Sequence, residues 1–106
     1  MTIYYTPESR DDLQKVKESV IEKFDSTELA EKVLCQIIKD INNLKVFPYM
    51  GRTLTEVLSS TSGYRFLFCQ HNYIFYRVEK DTVRIVRILN EKQDYMRALF
   101  GISEDE

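Results

Sequence analysis

Three strand-like segments follow one another in the last third of this 106-residue chain, and they constrain its fold more than any other feature. They are rich in aromatic and β-branched residues, which suit extended backbone. The connections between them, at 70–72 and 80–81, are short enough for tight turns. The sequence therefore predicts a small antiparallel sheet whose strands are Gly63–Cys69, Tyr73–Val78 and Val83–Leu89.

The first half of the chain predicts two helices that form an antiparallel hairpin. Thr6 is a suitable N-cap and Pro7 a suitable first helical residue, so a helix is expected from Pro7 to residue 23. Asp25, followed three residues later by Glu28, has the form of a capping box. This pair predicts the start of the second helix.

Apolar residues at helical spacing define the second helix and its buried face. They are Ala30, Val33, Leu34, Ile37, Ile38, Ile41 and Leu44. We place Cys35 on the apolar side of this helix, so a buried thiol is expected there. Phe47-Pro48 ends the helix, because a residue that precedes proline disfavours helical backbone.

The order of the predicted elements indicates the fold class. A short strand at Ile3–Thr6 precedes the helices, and there is room for another near 54–58. A last helix is expected from Gln93 to Phe100, ended by Gly101. The resulting order, βααβββα, predicts an α+β fold in a single domain, 1–106, with a frayed acidic tail at 102–106.

Charge is unevenly distributed, although the net charge is only −2. The segment 63–100 carries seven basic and four acidic side chains. A sequence pI near 5.5 argues against a protein that coats DNA generally, but it allows a local basic surface. The two cysteines lack metal-site spacing, so we expect no metal and no cofactor. We see no signal peptide or membrane-spanning segment, and therefore expect a cytoplasmic protein.

Arginine recurs on the predicted strands, although a guanidinium group is costly to bury. Period-two geometry places Arg87 on one sheet face, together with Val83, Ile85 and Leu89. If that face is covered, Arg87 needs a carboxylate or an anionic ligand. The alternative is a rim position, in which Arg87 pairs with Asp94 or Glu56. The same geometry places Arg84 on the opposite face with Val86 and Ile88.

The aromatic residues near Arg77 indicate a second candidate surface. Arg77 falls on the face of Tyr73 and Phe75, which suits nucleotide stacking or a protein contact. The alternative is cation–π support of a solvated sheet face. Arg65 alternates with aromatic residues on the preceding strand and is a further candidate.

The strand pattern also carries a family resemblance. Asn72–Glu79, the turn after it and Val83–Leu89 together resemble the RelE/ParE family of toxins from type II toxin–antitoxin pairs. Phe47–Arg52 is similar to the Phe-Pro-x-x-Gly-Arg segment that the family often shows, and members commonly carry arginine at the position of Arg65. The resemblance covers about 3–100. It implies an N-terminal strand and a helical hairpin packed on a small antiparallel sheet, with a short C-terminal helix.

The resemblance implies a toxin closer to ParE, which binds DNA gyrase and traps its cleaved-DNA state. Under this hypothesis the target-binding residues would be Arg52, Arg65, Arg77 and Arg87, of which Arg52 and Arg65 also match the family pattern. For Arg52, stabilisation of the loop is an equal alternative. The implied partner is a cognate antitoxin in a hetero-oligomer, and the flank of the helical hairpin offers it a groove.

A ribosome-dependent mRNA endonuclease of the RelE type (an mRNA interferase) is the alternative from another class. Its phosphate clamps and proton donor would be Arg65, Arg87, Lys92 and Tyr95. Asn90 stands where relatives often have histidine, and Gln93 where they often have arginine, which favours ParE and leaves open whether the chain is an enzyme. Tyr95 could instead pack the last helix, and His71 could be a solvated turn residue. A third hypothesis is a decayed toxin that only binds its antitoxin.

Overall fold

The computed structural model describes residues 1–54 and 63–101. Its elements are β1 (Thr2–Tyr5), α1 (Pro7–Phe24), α2 (Thr27–Asn42), a 3₁₀ turn (Asn43–Lys45), β2 (Arg52–Thr53), β3 (Arg65–Cys69), β4 (Asn72–Glu79), β5 (Thr82–Asn90) and α3 (Tyr95–Phe100). The strand expected near 54–58, apart from its first residue, and the acidic tail at 102–106 fall outside the described residues. Within the described ranges, no helix has the length and apolar character needed to cross a bilayer.

The five strands form one sheet in the order β1-β5-β4-β3-β2. Neighbours from β2 to β5 are antiparallel, whereas β1 pairs with β5 in parallel. The α+β fold is confirmed, and the sheet is mixed because β1 joins an edge that the hairpin strands leave free. Both helices lie between β1 and the other strands in the chain, so no tight turn forces β1 to run antiparallel.

The helix boundaries follow from their caps. The Thr6 hydroxyl accepts a hydrogen bond from the Ser9 backbone N–H, as expected for the N-cap of α1. Asp25 is not an N-cap, which corrects the predicted capping box. It adopts left-handed backbone at φ 50° and ends α1, and Ser26 caps α2 by accepting from Leu29 N–H. The α2 helix begins at Thr27 because Ser26, unlike Asp25, has the extended conformation that an N-cap requires.

The main core lies between the helical hairpin and the sheet. From α2 it takes Ile37 and Ile41, and from the strands Ile74, Tyr76 and Ile85. All five side chains are fully buried.

The apolar face of α2 is narrower than the sequence indicates. Cys35 is exposed, so the predicted buried thiol is wrong. At about 100° per residue, position 35 lies about 160° around the helix from Ile37. Ile38 is 40% exposed for the same reason, because it lies at the border of the buried stripe. The buried thiol belongs to Cys69 on β3, and both cysteines are free.

A β-bulge changes which residues of β5 share a face. Phe75 pairs with Arg87 but Tyr76 pairs with Ile85, so Val86 is an extra residue on β5. Beyond it the alternation shifts by one position. Ile88 therefore joins Ile85 in the helix-side core, and the other face takes Leu89. The predicted placement of Arg87 with Val83 and Ile85 is wrong for this reason, as is the placement of Arg84 with Ile88.

Candidate functional site

The sheet surface opposite α1 and α2 carries α3 and is here called the α3 face. Its centre is a second core in which Leu54, Phe75 and Leu89 are buried beneath α3. One row of paired residues runs across this face from β2 to β5, and its members are Arg52, Phe66, Phe75 and Arg87. At about 4.8 Å between strands, Arg52 and Arg87 lie about 14 Å apart at the backbone. The row places a cation at each edge of an aromatic centre.

Arg77 and Arg84 stand directly opposite each other on the same face. Both are exposed, and like charges in such a pair repel. Each guanidinium lies over a tyrosine ring, Arg77 at 5.4 Å from the centroid of Tyr64 and Arg84 at 5.2 Å from that of Tyr4. Together with Arg87, Glu8 and Glu79 they line a depression of about 330 Å³. Arg77 thus contacts an aromatic ring, that of Tyr64, as both a binding surface and the alternative of cation–π support would require.

Arg87 is held by a carboxylate from α1. Its Nε donates to Asp12 Oδ2 at 2.7 Å and its Nη2 donates to Oδ1 at 3.0 Å. The Ile88 backbone N–H also donates to Oδ2, at 3.0 Å. The hydrogen bond with Asp12 raises the pKa of Arg87 against the opposing effect of burial. The carboxylate that a covered Arg87 requires is Asp12. Of the two partners expected at a rim position, Asp94 caps α3 and Glu56 lies outside the described residues.

Arg65 lies on the other side of the sheet from the α3 face, paired with Tyr76. Its Nη1 donates to the carbonyl oxygens of Tyr49 and Gly51, at 3.2 and 2.9 Å. Its guanidinium also lies 5.0 Å from the centroid of the Tyr49 ring. Of the four predicted target-binding arginines, only Arg87 forms an ion pair with a carboxylate in the described part of the chain.

The four residues named for nuclease chemistry are not gathered in one place. Arg65 supports the loop before β2, and Arg87 is engaged by Asp12. Tyr95 packs on Tyr73 and Phe75, with ring centroids 5.8 and 5.3 Å apart, which is the packing alternative. The remaining residue, Lys92, lines a groove beside the helices. Tyr95, Lys92 and Arg87 each line a different depression.

The groove that contains Lys92 has a volume of about 600 Å³ and lies at the flank of the helical hairpin. Its walls come from α1, α2, the β3–β4 turn and the segment after β5. Val20, Leu29 and Val33 supply apolar surface, and Lys15 and Lys23 add positive charge. His71 lines one end, where its exposed ring contacts Glu91 at 3.2 Å.

Within 1–54 and 63–101, no group of three His, Cys, Asp or Glu residues is arranged to hold a metal ion. Two pKa shifts belong to the core instead. Three effects raise the pKa of the Cys69 thiol to about 12. Burial is the largest, followed by the hydrogen bond with Asp40 and the negative charge of that residue. Burial also raises the pKa of Tyr76, although the Gly51 N–H and the charge of Arg65 act in the opposite direction. Both groups are therefore protonated at neutral pH.

Sequence reasoning missed three residues of this arrangement. Asp12 stands four positions before Val16, on the buried side of α1. A carboxylate on the buried side of a helix needs a partner, so its position in the sequence could have predicted a buried ion pair with a basic side chain. Arg84 was assigned to a face but not to a site, since its pairing with Arg77 depends on the hairpin register. The contact of Tyr76 with the loop before β2 has no signal in the sequence.

Comparison with known proteins identifies the family. The protein-family model described as "ParE toxin of type II toxin-antitoxin system, parDE" matches residues 3–95 of this chain. This chain belongs to the ParE toxin family. The ParE recognition is thereby confirmed, and the match runs from the second residue of β1 through α1, α2 and the other strands to the first residue of α3. No curated protein sequence matches the chain.

A solved structure with a high TM-score shares this fold. The chain is similar to one titled "Chromosomal ParDE TA system from P. aeruginosa", with a TM-score of 0.70 and 20% identity over 85% of this chain and 95% of that one. At this identity the similarity shows the fold. The E. coli DinJ–YafQ complex matches with a TM-score of 0.46 and 17% identity, over 93% of this chain and 97% of that one.

Proposed function

We propose that this ParE-family toxin binds DNA gyrase in the cytoplasm, stabilises gyrase's cleaved-DNA state and is neutralised by an antitoxin encoded beside it. Family membership over residues 3–95 is the observation that carries the proposal. The similar structure from P. aeruginosa is titled as a ParDE toxin–antitoxin system, which supports an antitoxin partner for this chain.

The α3 face supports a target that presents negative charge. Arg52, Arg77 and Arg84 are exposed and form no ion pair with a carboxylate in the described ranges. Gyrase holding cleaved DNA offers both phosphates and acidic side chains, which guanidinium groups bind well. We assign the direct contacts to these three arginines, and to Arg87 and Arg65 the support of the surfaces around them.

The groove at the flank of the helical hairpin supports an antitoxin segment that folds on binding. Such a segment gains affinity by laying apolar side chains into a concave surface. The groove offers apolar walls with lysines at Lys15, Lys23 and Lys92, which suit an amphipathic segment with acidic residues.

Gyrase activity tests the proposal directly. Purified toxin is added to gyrase, ATP and relaxed plasmid, and the products are separated after protein denaturation. Linear DNA should accumulate as toxin increases, and pre-incubation with the product of the neighbouring reading frame should abolish it. Complete supercoiling at excess toxin would contradict the proposal.

Two further assays separate the other hypotheses. Primer extension on translated mRNA should show no codon-periodic cuts, because the four nuclease candidates are not gathered in one place. Such cuts would favour the mRNA endonuclease. Expression without the antitoxin should arrest growth, and normal growth would favour a decayed toxin that binds only its antitoxin.

A further inference from the structure

The loop between α2 and β2 exposes an unusual amount of apolar surface. We call Val46–Met50 the anchor loop. Four of its five side chains are large, apolar and exposed, with Val46 at 71%, Phe47 at 63%, Tyr49 at 63% and Met50 at 46%. No other stretch of five residues in the described ranges exposes as many large apolar side chains. Clustered exposure of this kind marks an interaction surface.

The backbone of the anchor loop is held firmly from beneath. The Tyr76 hydroxyl donates to the Pro48 carbonyl and accepts from the Gly51 N–H, both at 2.9 Å. Arg65 donates to the carbonyls of Tyr49 and Gly51. A Cβ on Gly51 would lie 2.5 Å from the Tyr76 oxygen, so only glycine allows this approach.

Within the loop, hydrogen bonds also fix the turn itself. Phe47 N–H donates to the Asn43 carbonyl at 3.0 Å, and Met50 N–H donates to the Phe47 carbonyl at 3.2 Å. The loop therefore presents its side chains from a fixed backbone. A partner that binds them loses little conformational entropy in the loop, which favours affinity.

The surroundings of the anchor loop indicate the chemistry of its partner. Residues 43–54 and 64–68 contain the basic side chains Lys45, Arg52 and Arg65 and no acidic one. Met50 and Arg52 also line a depression of about 460 Å³ on the α3 face, next to Phe66 and Phe68. The loop is thus continuous with the surface assigned above to gyrase. It shares no lining residue with the flank groove assigned to the antitoxin.

The shape of the loop favours a folded partner. Exposed aromatic side chains on a fixed loop act as anchors that enter preformed pockets, the arrangement found at binding hot spots. A segment that folds into a helix on binding instead lays its apolar face into a groove.

We propose that the anchor loop inserts Phe47 and Tyr49 into an apolar pocket on gyrase that is bordered by carboxylates. This inference rests on the proposed function and adds to it the toxin's principal apolar contact. Arg65 acts in it as a positioning residue, because it holds the loop through backbone carbonyls.

The test compares Phe47→Ala and Tyr49→Ala with Ile38→Ala, which removes an exposed apolar side chain from α2. Three quantities are measured for each full-length variant: affinity for purified gyrase, affinity for the antitoxin, and thermal midpoint. We expect each loop variant to bind gyrase about 30-fold more weakly, as for a hot-spot residue. Antitoxin affinity should match that of the unmodified toxin in both loop variants, and so should the thermal midpoint of Phe47→Ala, whereas Tyr49→Ala also loses its ring contact with Arg65. Ile38→Ala should match the unmodified toxin in both affinities.

Each contrary result has a distinct meaning. Unchanged gyrase affinity in both loop variants overturns the inference while leaving the proposed function intact. Loss of antitoxin affinity with gyrase binding retained also overturns it and assigns the loop to the antitoxin. An unmodified toxin that does not bind gyrase at all refutes the proposed function, and the inference with it.

Discussion

Replacing Asp12 by alanine should be the most destabilising change at the junction of α1 and β5. Its carboxylate is 4% exposed and accepts three hydrogen bonds, two of them from Arg87. Removing one partner of a buried pair costs about 3–5 kcal/mol, because the other charge stays buried. The Arg87 side chain is still 23% exposed, so water compensates in part and about 3 kcal/mol is expected. For a domain of this size that loss lowers Tm by about 12–24 °C.

Urea and thermal unfolding, followed by far-ultraviolet circular dichroism, measure this cost. Asp12→Asn should lie between the unmodified protein and Asp12→Ala, because one side-chain oxygen remains to accept a hydrogen bond. The double variant Asp12→Ala/Arg87→Met should cost less than the sum of its single changes.

Lys32→Ala is the matched control for this experiment. It breaks an ion pair with Glu28 whose side chains are 72% and 81% exposed, so it should change stability by less than about 0.5 kcal/mol. If Asp12→Ala costs no more than this control, or if the double variant is simply additive, the pair does not join α1 to β5 as argued.

Two more predictions concern buried groups of the main core. Tyr76→Phe should cost about 1–3 kcal/mol, because it leaves the Pro48 carbonyl and the Gly51 N–H without their partner. Amide exchange at Gly51 should accelerate, and unchanged exchange there would show that the hydroxyl does not hold the loop. At pH 8 an alkylating reagent should add once to the native protein, at Cys35, and reach Cys69 only after unfolding. Because the Cys69 pKa rises from 9.0 to about 12 on folding, its contribution to stability is complete below pH 9 and should decline as pH rises towards 12. Two adducts on the native protein would contradict its burial.

Local patterns predicted the elements of this fold well. The caps at Thr6 and Gly101 and the apolar runs of β3, β4 and β5 depend on residues close together in sequence, so they could be found without a structure. The burial of Cys35 was predicted wrongly because the apolar residues of α2 form a broad stripe, and the sequence does not show where the buried part of that stripe ends. That edge depends on how the sheet lies against the helix.

The candidate site was predicted only in outline. Arginine on the strands indicated a cationic surface, and the exposed pair Arg77 and Arg84 is consistent with that prediction. Which arginines are exposed and which support the structure could not be predicted, because this depends on the side chains and carbonyls from distant elements that reach each guanidinium. Arg87 meets Asp12 across 75 positions, whereas Arg65 meets backbone carbonyls.

By itself, the sequence determined the helical hairpin, the antiparallel strands and the ParE-like order, since each follows from periodicity, caps or short turns. Only the tertiary structure decided the parallel addition of β1, the phase change at Val86 and the opposite placement of Arg65 and Arg77. The physical reason is that alternation along a strand persists only while the pairing is regular. One extra residue on β5 reverses the faces beyond it, and such a bulge is set by the neighbouring strands.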